Sequence, residues 1–199
     1  MNDHLIITIS REHGTGGREI GRKVAEALGI PFYDNYAMAE MFPENSESGK
    51  KYFQTSGETT VSEKQYGRIN TRYLQYNSLN EEMFRDQSEV MRRLAEQGPA
   101  VFVGRCADVV LAEDCSRLFR VFLGADLETR TKNLMARHEV DEEKARKEIH
   151  QMDKSRASYY AYYTEQRWGQ REHYDLCIDA GRMQVPAIVA AIKDLASAI

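Results

Sequence analysis

The feature that most constrains this chain lies near its start. Ser10-Arg11-Glu12-His13-Gly14-Thr15-Gly16-Gly17-Arg18-Glu19 is a polar, glycine-bearing segment set between two runs of different periodicity. Residues 5–9 before it are apolar and largely β-branched, the pattern of a buried strand. After it, Ile20, Val24, Ala27 and Leu28 recur at helical spacing, and Gly29 with Pro31 stops that helix ahead of a second short strand over residues 30–33. A strand, a glycine loop and a helix in that order bring backbone N–H groups and the positive end of a helix dipole to one point, which suits a phosphate. The candidate phosphate-binding residues are therefore Gly14, Thr15, Gly16, Gly17, Arg18 and Glu19.

The loop departs from the phosphate-loop pattern G-x-x-x-x-G-K-[ST] in either register. If Gly16 is the second glycine, Arg11 takes the opening position and Gly17 replaces the lysine. Sliding by one residue puts Arg18 at the lysine, with Glu19 where a hydroxyl belongs. Arg18 at the helix start is the expected source of the positive charge that lysine usually supplies. A dinucleotide fingerprint is set aside, because Gly14-Thr15-Gly16-Gly17-Arg18-Glu19 lacks its last glycine. A glycine-rich turn that binds nothing stays open as the plain alternative.

Downstream, residues 43–80 are rich in Ser, Thr, Asn, Glu, Lys and Tyr, with little periodicity, and read as an insertion. A helix is expected over residues 81–97, a core strand over 100–103 and another strand over 118–123. Asp126 and Asp141 are placed to open two further helices, the second running to about Arg156. A last strand is expected over 174–178, then a helix whose apolar face carries Val185, Ile188, Val189, Ile192, Leu195 and Ile199. Strands alternating with helices imply a parallel sheet covered on both faces, with ligands beyond the carboxyl ends of its strands. The 27 basic and 31 acidic residues leave a formal charge of -4, which offers a nucleic-acid polymer no global attraction, so a phosphate site has to be local. The start of the chain has no signal-like leader and no apolar run is long enough to span a bilayer, so a cytoplasmic protein without membrane partners is expected. Cys106, Cys115 and Cys177 are read as reduced thiols.

Nearly the whole chain resembles the cytidylate kinases, and in particular their divergent cytidylate-kinase-like branch. The residues that carry the likeness are Ile7-Thr8-Ile9-Ser10 through Gly16, Phe32-Tyr33-Asp34, Val103-Gly104-Arg105, and Asp126 with Arg130. Asp153-Lys154-Ser155-Arg156 is similar to the end of the family's lid motif, and Tyr159-Tyr160-Ala161-Tyr162-Tyr163-Thr164 with Trp168 looks like the divergent branch. Cys106 stands where the family has an aspartate, and Ile149-His150 where its lid has Arg-Asp.

The resemblance implies an α/β fold of P-loop type, a three-layer α/β/α sandwich with a parallel central sheet. It implies one domain over residues 1–199, with an acceptor-binding insertion over about 36–97 and a lid over about 138–172. It further implies transfer of the ATP γ-phosphoryl group, with Mg²⁺, to a nucleoside monophosphate such as CMP or dCMP. The catalytic candidates are Arg18, Arg105 and Arg156; Asp34 and Arg105 bind the acceptor, and Asp153 and Arg156 belong to the lid. Metal ligands are not assigned, Thr15, Glu19 and Asp108 being the oxygen-bearing candidates. His13, Arg130 and Arg137 read as solvent-facing. The tyrosine run reads as packing for the lid base or an interface, and it permits a homodimer without requiring one. Two other functions remain open: a nucleotide-binding regulatory protein that has lost efficient catalysis, which the altered loop favours, and a kinase of a different small acceptor.

Overall fold

A computed structural model describes residues 2–39, 41 and 71–199, with backbone alone for residues 39 and 71–80. The expected insertion over 43–80 thus falls mostly outside the described residues.

The first strand, β1 (Asn2–Arg11), is longer than its apolar run, because Ser10 and Arg11 continue the ladder opposite Phe122 and Leu123. It leads through the glycine loop into α1 (Gly17–Leu28), which ends at Gly29 in the left-handed conformation. A two-residue strand β2 (Phe32–Tyr33) and a short helix α2 (Asn35–Ala39) follow. The next helix, α3 (Thr71–Gln97), begins ten residues before the periodic stretch at 81. Strand β3 (Ala100–Val103) and a single helical turn, α4 (Ala107–Val110), lead to β4 (Cys115–Gly124). Helix α5 (Leu127–His138) opens on Asp126, which accepts from Thr129 N at 2.8 Å, and α6 (Glu142–Thr164) opens on Asp141, which accepts from Lys144 N at 2.8 Å. Both caps are where the sequence puts them, but α6 runs eight residues past Arg156 and takes in the tyrosine run. Strand β5 (Leu176–Asp179) and α7 (Val185–Ala196) complete the chain.

All the strand pairs are parallel, in the order β2-β3-β1-β4-β5. Because strand side chains alternate between faces, the sheet divides the core in two. Ile6, Ala100 and Phe102 point to the side covered by Val90, Met91 and Leu94 of α3, with Leu111 after α4. Ile7, Ile9, Val101 and Val103 point to the side covered by α1 and α7 through Ile20, Val24, Ile188 and Ile192. The result is three layers. The face of α7 differs from the expected one: Ile188, Ile192 and Ala196 are buried, while Leu195 and Ile199 are exposed. The helix ends at Ala196, so Ile199 lies beyond the element that would have aimed it inward.

Helix α1 approaches the sheet closely at Gly21, where an added Cβ would lie 2.7 Å from Val103 Cγ2 and 3.3 Å from Ile9 Cδ1. This contact seats the glycine loop at the end of β1. Gly21→Val should therefore overpack a fully buried layer and lower stability by about 2 kcal/mol, read as a lower urea midpoint at unchanged slope.

Candidate active site

The site forms at the carboxyl ends of β1, β3 and β4, held to the sheet by Gly104 N donating to Ile9 O at 3.1 Å and Glu12 N donating to Leu123 O at 3.0 Å. The loop bends at Gly14 (φ 87°) and Gly16 (φ 77°), and Gly16 is the N-cap of α1. That placement selects the register in which Gly16 is the second glycine, Arg11 the opening residue and Gly17 the lysine position. At Gly14 no other residue fits, since a Cβ would lie 2.8 Å from the Arg130 carbonyl oxygen. Thr15 is buried and its hydroxyl donates to Glu12 O at 2.8 Å, closing the turn from within.

The loop is clamped from outside by α5 and α6. Asp153 accepts from the His13 backbone N–H at 2.7 Å with one carboxylate oxygen and from Arg130 Nη1 at 2.5 Å with the other. Arg130 also donates to the carbonyls of Ala125 (2.9 Å) and His13 (3.3 Å), and Asn133 Nδ2 donates to Gly14 O at 3.0 Å. Arg130 is thus buried and structural at the loop, contrary to the solvated residue expected from its charged helix. His13 is likewise not solvent-facing: its Nε2 lies 2.9 Å from Glu148 Oε1. The general rule that a lone histidine or helical arginine is solvated fails here because the partner in each contact comes from α6, more than 20 residues away.

Arg105 follows β3 in an unusual turn. Gly104, Arg105 and Cys106 take φ of 83°, 61° and 56°, so two residues with side chains sit in a region normally left to glycine. The strain turns Arg105 inward, where it is buried and donates through Nε to Asn35 Oδ1 at 2.6 Å and through Nη2 to the same oxygen. Its Cζ lies 5.5 Å from the centroid of the Tyr159 ring. Arg156 reaches in from α6 and donates to the Arg11 carbonyl at 3.0 Å. Ser10, Arg11, Arg105, Arg156, Tyr159 and Trp168 line one small cleft beside the loop.

Arg18 does not lie across the loop. Its Nε donates to Asp34, and its Cζ stands 4.9 Å over the Tyr36 ring, so the charge expected at the donor phosphates is held on the α2 side of the site. Asp34 is buried and caps α2, accepting from Tyr36 N at 2.9 Å and Ala37 N at 3.0 Å while its other oxygen takes Arg18. The oxygen-bearing metal candidates do not converge. Thr15 is hydrogen-bonded within the loop, Glu19 pairs with Lys23 at 2.9 Å, and Asp108 is buried against the Tyr160 hydroxyl at 2.7 Å. Among the described residues no group of three or more His, Cys, Asp or Glu could hold an ion. Burial raises the Asp108 carboxyl above its ordinary range, partly offset by the Tyr160 hydrogen bond, and burial raises the Cys106 thiol far above its own. Cys106 thus supplies no charge at the position where the family has an aspartate. Within the tyrosine run Tyr163 stacks on Phe84 at 4.1 Å, Tyr159 packs against both and Tyr160 is buried, while Tyr162 is exposed.

Residues that sequence reasoning missed are Arg11, Asn35, Arg130 and Asn133. Arg11 left a signal as an arginine at a glycine position, and Arg130 as part of the family-like helix start; Asn35 and Asn133 left none.

A parallel sheet of this order, with a glycine loop running from its central strand into a helix, defines a P-loop kinase fold. The gluconokinase from Sinorhizobium meliloti 1021 shares that fold, with a TM-score of 0.58 at 15% identity over 100% of this chain and 97% of its own. An uncharacterized protein from Eubacterium ventriosum ATCC 27560 superimposes with a TM-score of 0.76 at 27% identity, covering 98% of this chain and 99% of that one. A cytidylate kinase from Methanothrix thermoacetophila is 26% identical over 178 residues, 89% of this chain and 90% of that protein. The model of the cytidylate kinase-like family matches residues 6–182, and the chain belongs to that family. Family and fold together support a nucleotide-using phosphotransferase. No helix among the described residues is long and apolar enough to cross a membrane.

Burial gives the clamp a pH dependence. Removing His13 from water lowers its pKa below the ordinary 6.5; the Glu148 hydrogen bond opposes this, Arg156 adds to it, and the Glu148 and Asp153 charges oppose it. The unfolded chain therefore binds the proton more readily, so this contribution to stability is complete above about pH 6.5 and is lost as pH falls through the folded pKa. His13→Gln should lose less stability than the wild type between pH 7 and 5 in urea titrations; equal losses would show that the imidazole is not the group responsible.

Proposed function

We propose that this protein transfers the γ-phosphoryl group of ATP to a nucleoside monophosphate, with CMP or dCMP as the first acceptors to try. The observation that carries this reading is that Arg105, from a strained turn after β3, and Arg156, from α6, line one cleft beside the glycine loop. In-line transfer needs two phosphates held end to end and positive charge around the group in flight, and little covalent help from the protein. The backbone N–H groups of residues 14–17 take the donor phosphates, Arg105 takes the acceptor phosphate, and Arg156 meets the charge of the transferring group. Asp34 and Asn35, which hold Arg18 and Arg105, set the acceptor side. A phosphate oxygen of the acceptor forms a bond to the γ-phosphorus as the bond to the β-γ bridging oxygen breaks, and ADP leaves with that electron pair. Charge balances without a proton when the acceptor is a dianion. The choice of cytidine rests on the likeness to the Methanothrix thermoacetophila cytidylate kinase, at 26% identity.

Mg²⁺ is expected to arrive on the ATP phosphates, where it would neutralise charge. Thr15, Glu19 and Asp108 are engaged elsewhere, and Arg18 occupies the hydroxyl position, so the chain's described residues do not form a ready site for it. The non-catalytic reading draws on the same loop: Gly17 and Arg18 stand in place of Lys and Ser/Thr.

The deciding assay is ADP production from Mg-ATP across a panel of nucleoside monophosphates and small alcohols, with ATP binding measured on the same preparation. Turnover that depends on CMP or dCMP supports the reading, turnover only with an alcohol moves the acceptor class, and tight ATP binding without turnover favours the regulatory role. Arg156→Ala should lower turnover by about a hundredfold with less than a threefold change in ATP affinity. Equal losses in both would assign Arg156 to ground-state binding.

A further inference from the structure

We propose that Arg11 is the phosphate-loop cation of this protein, its side chain entering from the opposite end of the loop to the usual lysine. This rests on the reading that the loop binds a nucleoside triphosphate. In the pattern G-x-x-x-x-G-K-[ST] the opening residue is glycine and the residue after the second glycine is lysine. Here, in the register set by Gly16 as the cap of α1, the opening residue is Arg11 and the later one Gly17. The two positions have exchanged character.

The geometry shows that they have exchanged volume as well. A Cβ on Gly17 would lie 2.7 Å from both Cβ and Cγ of Arg11, so the Arg11 stem fills the space in which a side chain at 17 would begin. At the other end of the side chain, a Cβ on Gly104 would collide with Arg11 Nη1 and lie 3.4 Å from its Cζ. The guanidinium therefore rests against the end of β3, next to Arg105, and Arg11 lines the same cleft as Arg105 and Arg156. Two glycines leave room for this one side chain, Gly17 for its stem and Gly104 for its head. Of the other cations near the loop, Arg18 is held by Asp34 and Tyr36, Arg130 by Asp153, and Arg137 stands 4.0 Å from Glu19 on the outer side of Gly16. An arginine suits the longer path from the strand end, and its planar fork can donate to two phosphate oxygens at once, where lysine acts as a point charge.

The test is a swap in the full-length chain, with Mg-ATP, inorganic tripolyphosphate and AMP as calorimetric probes. Arg11→Gly should weaken ATP and tripolyphosphate by at least about tenfold, while AMP, which lacks the β- and γ-phosphates, changes by less than about twofold. Glycine is used because Arg11 Cβ is itself one of the atoms in conflict with position 17. Gly17→Lys alone should not tighten ATP, since Arg11 still fills the space. The double variant Arg11→Gly with Gly17→Lys restores the standard arrangement and should recover ATP affinity to within about threefold of wild type. If thermal unfolding shows that Arg11→Gly has lost its fold, the double variant carries the test against wild type. Unchanged ATP affinity in folded Arg11→Gly, or a folded double variant that regains nothing, would overturn the proposal. A wild type that binds ATP but phosphorylates no nucleoside monophosphate would overturn the acceptor reading and leave Arg11 standing. Binding of neither ATP nor tripolyphosphate by the wild type would overturn both.

Discussion

One carboxylate holds this site together. Asp153 sits on α6 and accepts from the His13 backbone N–H of the loop and from the Arg130 guanidinium of α5, so three elements distant in sequence meet at two oxygen atoms. Arg130 and Asp153 are both largely withdrawn from water, where an ion pair is little screened and removal of either partner leaves an uncompensated charge. Glu12 reinforces the arrangement by accepting from Ala125 N at 3.0 Å. The shape of the glycine loop is thus imposed from outside, by helices that pack over it, as much as by its own glycines. Arg156 lies one turn beyond Asp153 on the same helix, so whatever fixes α6 against the loop also fixes the distance from Arg156 to the cleft.

The opposite wall is built from strain. Three successive residues after β3 adopt positive φ, and only the first is glycine. Placing Arg105 and Cys106 there costs of the order of 1 kcal/mol each. What offsets it is an interior in which the Arg105 fork meets Asn35 and the Tyr159 ring. Asn35 in turn follows Asp34, the cap of α2 and the partner of Arg18. Arg18 and Arg105 are therefore held by two adjacent residues, the cap and the first residue of one short helix.

The family has an aspartate after its Gly-Arg pair, and here Cys106 takes that place with its thiol buried and neutral. Asp108, two residues on, turns into the interior toward Tyr160, and its raised pKa reflects that burial. Three arginines, Arg11, Arg105 and Arg156, line the cleft, whose charge favours anions. That is consistent with a site that works through phosphate neutralisation and positioning.

Local sequence determined a large part of this protein: the apolar runs of β1 and β3, the spacing of Ile20, Val24 and Leu28 on α1, and the caps at Asp126 and Asp141 depend on neighbours within a turn or two. The position of the glycine loop followed from the same information, because such a loop between a strand and a helix is readable without knowing what packs on it. The backward extension of α3 to Thr71 was missed, because Tyr73, Tyr76, Leu79 and Met83 recur at helical spacing but stand among polar residues that read as an insertion. The direction taken by the long charged side chains was not legible. Arg18 turned to Asp34, Arg130 went inward to Asp153, and Arg11 ran across Gly17 to Gly104. Secondary structure is written in contacts three or four residues apart, which a sequence displays. The destination of an arginine is decided by partners on other elements and by the space that distant glycines leave open, and these exist only once the chain has folded.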